Sequence, residues 1–97
     1  NMKIEITSRH FTPSEELKAL VNEKLTKLDK FNISLTRCNV ILSKENRAEE
    51  SVEIIAHSKG HEFIAHDNSS IFEKSLAAAA NKLSIQLKKR HDRIGNH

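Results

Sequence analysis

The last quarter of the chain, residues 70–93 (SIFEKSLAAAANKLSIQLKKRHDR), constrains the fold most. Phe72, Leu76, Ala79, Ala80, Leu83 and Leu87 recur at helical spacing, so they form one apolar stripe on a long amphipathic helix. Lys82, Gln86, Lys89 and Arg93 line one flank of that stripe. From Lys82 onward there are five Lys or Arg (Lys82, Lys88, Lys89, Arg90, Arg93) against one acid, Asp92. One side of this helix therefore requires a core, and its far end suits a polyanion. The remaining residues must supply a partner layer for the stripe.

Length and composition narrow that layer. A chain of 97 residues is one domain. Two Gly and one Pro exclude a loop-rich or disordered chain. A single Cys, Cys38, excludes an intrachain disulfide and fits a reducing compartment. No apolar run approaches the length of a membrane span, and no export signal is present, so the expected location is cytoplasmic, with no membrane partner. The net charge is only +3. It is unevenly placed, and the local field matters more at a binding surface than the total.

Residues 2–7 (MKIEIT) alternate and predict a strand with Ile4 and Ile6 inward. Thr12, Pro13 and Glu15 predict a helix start with Thr12 as cap and Glu15 completing a capping box, stapled by Phe11. This helix runs to about Phe31, with Leu17, Val21, Leu25, Leu28 and Phe31 on its apolar face. Lys24 falls inside that stripe and must run its stem along the core to bring its ammonium out. Residues 35–43 (LTRCNVILS), 51–57 (SVEIIAH) and 61–66 (HEFIAH) predict three more strands, with a turn at Ser58-Lys59-Gly60. Ser70 and Glu73 read as the second helix's capping box.

The order β-α-β-β-β-α predicts an α+β fold of two layers: a four-stranded mixed sheet with both helices on one face. The other face would carry polar residues together with Ile41, Ile55 and Ile64, which could align as a stripe across three strands.

Catalytic and metal signatures are missing: there is no phosphate loop, no CxxC, no HExxH and no nucleophile elbow. Cys38 reads as a buried small hydrophobe. His57, His61 and His66 cluster in one hairpin, but no carboxylate or Cys completes a ligand set. The expectation is a protein without enzymatic activity, cofactor or metal. The positive signal is basic. Lys24, Lys27 and Lys30 from the first helix, with Lys82, Lys88, Lys89, Arg90 and Arg93 from the second, can form adjacent flanks facing phosphate, and Arg9 could extend them. A solvated lysine-rich face is the plainer reading of the same residues. Stacking aromatics are scarce, because the four Phe read as core, which favours folded RNA recognised by shape and phosphate.

The opening MKIEITSRHF, with Ser14, Leu17 and Val21, then Lys24, Leu28 and Phe31, resembles the short ribosome hibernation-promoting factors and ribosome-associated inhibitors, also called ribosomal subunit interface proteins. The most specific match is 82–89, KLSIQLKK, similar to the family's K-L-x-x-Q-L/I followed by basic residues. The resemblance spans residues 2–97, one ribosome-binding domain. It implies a fold related to double-stranded-RNA-binding domains. It also implies binding to the small ribosomal subunit and its rRNA in the mRNA/tRNA channel, inhibition of translation, and protection of idle ribosomes in stationary phase or stress. Carried over by position, the rRNA contacts are Lys24, Lys82, Gln86, Lys89 and neighbouring basic residues. The long form's dimerising domain has no counterpart in the chain, so a monomer off the ribosome is expected, and any ribosome pairing would need a second hibernation factor. A general folded-RNA-binding module is the alternative. The chain departs from the family at Ile71-Phe72-Glu73, where the family opens its second helix with Asp, a hydrophobic residue and an aromatic.

Overall fold

The computed structural model describes residues 2–31 and 33–95, with the side chains of Phe31, Ile94 and Gly95 outside the described set. The elements are β1 (Lys3–Arg9), α1 (Glu15–Thr26) with a 3-10 continuation (Lys27–Phe31), β2 (Leu35–Ser43), β3 (Glu50–Ser58), β4 (His61–Ser69) and α2 (Phe72–Gly95). The sheet order is β1-β2-β3-β4. β1 runs parallel to β2, pairing Ile4 with Cys38 and Ile6 with Val40, because α1 carries the chain back over the sheet. The other two pairs are antiparallel. Gly60, at φ +75°, makes the tight turn into β4, a backbone region that glycine enters without steric cost.

Alternation along each strand sends one set of side chains under the helices. Cys38, Val40, Leu42, Val52, Ile54, Ala56, Phe63 and Ala65 are buried there against Val21, Leu25 and Leu28 of the first helical segment and Phe72, Leu76, Ala79, Leu83 and Leu87 of α2. The predicted stripe on the closing helix is thus the roof of the core, with Ala80 only half-buried at its margin. Phe31, also expected in the core, has its side chain outside the described set. Cys38 is fully buried and its Sγ donates to Met2 Sδ at 3.1 Å. Burial, helped by the charge of Asp29, pushes its thiol up to about 11, so at neutral pH it is an uncharged packing group and a poor nucleophile.

Three local expectations are corrected. α1 is capped by Ser14, whose Oγ accepts from Leu17 N at 3.1 Å, and not by Thr12. Phe11 does not staple α1; its ring stacks on Phe72 of α2, with centroids 4.8 Å apart. That contact holds Phe11 against the other helix, so 12–13 serve as linker and Glu15 and Glu16 fall in the first turn, where negative charge is favoured. Lastly, β4 extends to Ser69 by pairing Asp67, Asn68 and Ser69 with Val52, Ser51 and Glu50. The strand thus runs three residues beyond the 61–66 alternation.

The start of α2 is satisfied from across the sheet instead of by a Ser70/Glu73 box. Phe72 N donates to Glu50 Oε1 at 2.7 Å, and Ile71 N donates to Ser69 Oγ at 3.3 Å. Buried Ser75 donates to Glu50 O at 2.5 Å and shares a 2.7 Å hydrogen bond with Ser69 Oγ. Lys44 lies 3.5 Å from the Glu50 carboxylate. A carboxylate at a helix N-terminus meets both the free amides and the positive end of the dipole. The departure at Ile71-Phe72-Glu73 coincides with this cap supplied by β3.

The opposite sheet face is polar, as expected for a face open to water. Its isoleucines do not form one row. Ile55 pairs directly with Ile64, whereas Ile41 sits one row away beside Glu53.

Candidate nucleic-acid interface

Apart from Arg9, the predicted basic residues fall into two sets, on opposite flanks of α2. The first surrounds a groove of about 190 Å³ between the two helical segments. Lys24, Lys27 and Lys30 form one wall, and Ala77, Ala80, Asn81 and Ser84 of α2 form the other. Lys24 is half-buried, as its place in the apolar stripe requires. Lys27 lies 4.0 Å from Glu23. Lys88, four residues beyond Ser84, continues the α2 wall outward. Small side chains on that wall let a phosphate backbone approach the lysines closely.

The second set lies on the β4 side of α2. Gln86, Lys89, Arg90 and Arg93 line a cleft of about 200 Å³ with His61 and Phe63 of the β3–β4 hairpin. Ile85, 48% exposed, separates the two sets on the outer surface of α2. Among the described residues no acidic side chain lines either depression. Among the described residues Lys24, Lys88, Lys89, Arg90 and Arg93 have no ion-pair partner, so no carboxylate of that set offsets their charge.

Two predicted contacts have an internal role. Lys82 Nζ donates to His66 O at 3.0 Å and lies 3.0 Å from Asp67 Oδ2. One turn on, Gln86 Nε2 donates to Ile64 O at 2.7 Å. β4 is a sheet edge, and carbonyls two residues apart on an edge point away from the sheet. The i, i+4 spacing of Lys82 and Gln86 matches them, so the two side chains clasp α2 to the edge strand and cover it. The Lys82 hydrogen bond, with a second from Asn68 N–H, holds the Asp67 carboxyl below its ordinary range.

Arg9 is not brought to the helix layer. It is the last residue of β1 and lines a 300 Å³ depression on the open face with Ile41, Ser43, Glu45, Ser51, Glu53 and His66. The outward parity of β1 at Lys3, Glu5, Thr7 and Arg9 decides this. Nor do the histidines converge. His57 Nδ1 lies 3.3 Å from Glu62 on the open face, whereas His61 packs on Phe63 on the helix side. Among the described residues no group of three or more His, Cys, Asp or Glu could hold a metal ion.

The family described as sigma 54 modulation protein / S30EA ribosomal protein matches residues 4–95. The chain belongs to this family. Its members are ribosome-associated and non-enzymatic. Two solved structures share the fold. A ribosomal subunit interface protein from Coxiella burnetii superimposes with a TM-score of 0.86, at 22% identity, over 94% of this chain and 99% of its own. The N-terminal domain of Protein Y from Thermus thermophilus does so with a TM-score of 0.83, at 21% identity, over 92% of this chain and 99% of its own. No curated protein sequence matches the chain. Among the described residues no helix is long and apolar enough to cross a membrane.

His61 and Phe63 line the second cleft but are not among the basic residues expected from the sequence. The usable signal was strand parity: His61 and Phe63 share the inward face, which runs out at the hairpin tip beside the basic end of α2.

Proposed function

We propose that this chain is a cytoplasmic ribosome hibernation factor. It binds the small ribosomal subunit in the mRNA/tRNA channel, contacts rRNA phosphates through the helix layer, and so blocks translation and protects idle ribosomes in stationary phase or stress. The observation that carries this reading is the concentration of uncompensated cations on both flanks of α2, in a fold whose family is ribosome-associated. Lys24, Lys27 and Lys30 on one side, and Lys89, Arg90 and Arg93 on the other, act as phosphate clamps. Lys88 extends the first set. Lys82 and Gln86 fix the pitch of α2 and with it the spacing of the two sets. Inhibition is steric: the bound domain occupies space that mRNA and tRNA need.

Competition on isolated small subunits tests the occlusion. Saturating the subunit with mRNA and initiator tRNA is expected to displace the protein, and excess protein to displace the tRNA. Simultaneous binding of all three would contradict the reading.

A further inference from the structure

The cleft on the β4 side of α2 differs from the groove between the helices in one respect: it has rings. His61 and Phe63 lie with centroids 4.6 Å apart and planes tilted by 56°. Phe63 is 4% exposed and fixed in the core, whereas His61 is exposed above it. Across the cleft stand Gln86, Lys89, Arg90 and Arg93. Gln86 is held in place by its bond to Ile64 O, and the three cations have no ion-pair partner among the described residues. Pockets for drug-sized ligands run from about 300 Å³ upward. At about 200 Å³ this open cleft lies below that scale and takes a ligand no larger than a single nucleotide. Unpaired bases stack on His rings and guanidinium planes, and Arg and Lys bind the adjoining phosphate.

We propose that this cleft holds a single unpaired nucleotide, its base against the His61 ring and its phosphate among Lys89, Arg90 and Arg93. The inference rests on the reading of the helix layer as an RNA surface, in which the nucleotide is one splayed from the bound strand. A free mononucleotide has the same chemistry, and the test separates the two sources.

The ring resonances of His61 and Phe63 are followed by NMR during titration with inorganic phosphate, a nucleoside, a nucleoside monophosphate and a single-stranded RNA tetranucleotide. The monophosphate and the tetranucleotide are expected to shift the His61 ring signals; phosphate alone is expected to shift only Lys89, Arg90 and Arg93. His61→Ala should weaken nucleotide binding about tenfold, the order expected for one base–ring stack. His61→Phe should retain it, whereas a contact made by an imidazolium charge would be lost with that charge. Tighter binding of the tetranucleotide assigns the cleft to a strand, and equal binding assigns it to a free nucleotide. Ring signals unmoved by any nucleotide, or wild-type affinity in His61→Ala, would overturn the proposal. Small-subunit co-sedimentation of the same wild-type protein separates the two levels. Sedimentation without a nucleotide response overturns the cleft alone; a nucleotide response without sedimentation overturns the ribosome reading alone.

Discussion

The triple variant Lys24→Glu, Lys89→Glu, Arg93→Glu is expected to lose small-subunit binding by at least a thousandfold while keeping its fold. The three positions sample both flanks of α2, and none has an ion-pair partner among the described residues, so reversal breaks no internal pair. A hydrogen bond to a charged group contributes roughly 1.5–3 kcal/mol, and each 1.4 kcal/mol is about tenfold in affinity. Loss of three such contacts already reaches about a thousandfold, and the new like-charge repulsion against phosphate adds to it. Lys82 is deliberately outside the set. Its ammonium is bonded to His66 O and Asp67, so its reversal would disturb the β4 edge as well as any RNA contact. Circular dichroism and co-sedimentation on the same preparation check the result. Binding of a folded triple variant at wild-type affinity would remove the electrostatic basis of the account.

The largest stability effect is expected at Leu83→Ala. Leu83 is fully buried where α2 crosses the sheet, on the face opposite the outer surface of the helix. Removing a buried Leu side chain loses its transfer energy and leaves a cavity, at a cost of about 2–5 kcal/mol. The backbone around this site has little freedom to collapse, because the Lys82 and Gln86 bonds to β4 flank it in sequence. The effect should therefore sit in the upper half of that range. Urea unfolding measures it: the midpoint should fall with the m-value unchanged. A loss under about 1 kcal/mol would mean that α2 is not seated on the core as described.

The architecture was legible because period and order are local properties. The bounds of β2 came directly from alternation in 35–43, and the inward positions Cys38, Val40, Val52, Ile54 and Phe63 followed from parity. The closing helix was legible from its stripe of Phe72, Leu76, Ala79, Leu83 and Leu87. What was not legible depends on contacts distant in sequence. Glu50 caps α2 across 22 positions, and no local capping rule would nominate it. Phe11 stacks on Phe72 instead of the helix beside it. The isoleucines were placed on the correct face, but their row depends on register, which the 44–49 connection and the hairpin turn set.

The candidate site shows the same division. That a basic surface exists was readable from Lys82 onward. Its partition was not, because helical spacing fixes angles around α2 but not what lies on each side of it. With the sheet in place, Lys24, Lys27 and Lys30 face the Ala77–Ser84 side of α2, which Lys88 continues by helical spacing, whereas Lys89, Arg90 and Arg93 face the hairpin. Lys82 and Gln86, expected as rRNA contacts, show that a motif spacing can serve the fold. Their bonds to Ile64 O and His66 O blunt an edge that would otherwise invite strand pairing. Arg9 lies beyond the strand predicted over 2–7, but β1 continues through it, and as the end of β1 it faces away from the helices.

Equilibrium binding to purified small and large ribosomal subunits, from about 50 to 200 mM salt, tests the central claim most directly. The seven cations of the two sets, Lys24, Lys27, Lys30, Lys88, Lys89, Arg90 and Arg93, each neutralising one phosphate, would give a slope of log affinity against log salt between about −4.9 and −6.3. The account predicts saturable binding to the small subunit alone, with a slope in that range. Equal affinity for the large subunit, or a flat salt response, would contradict it.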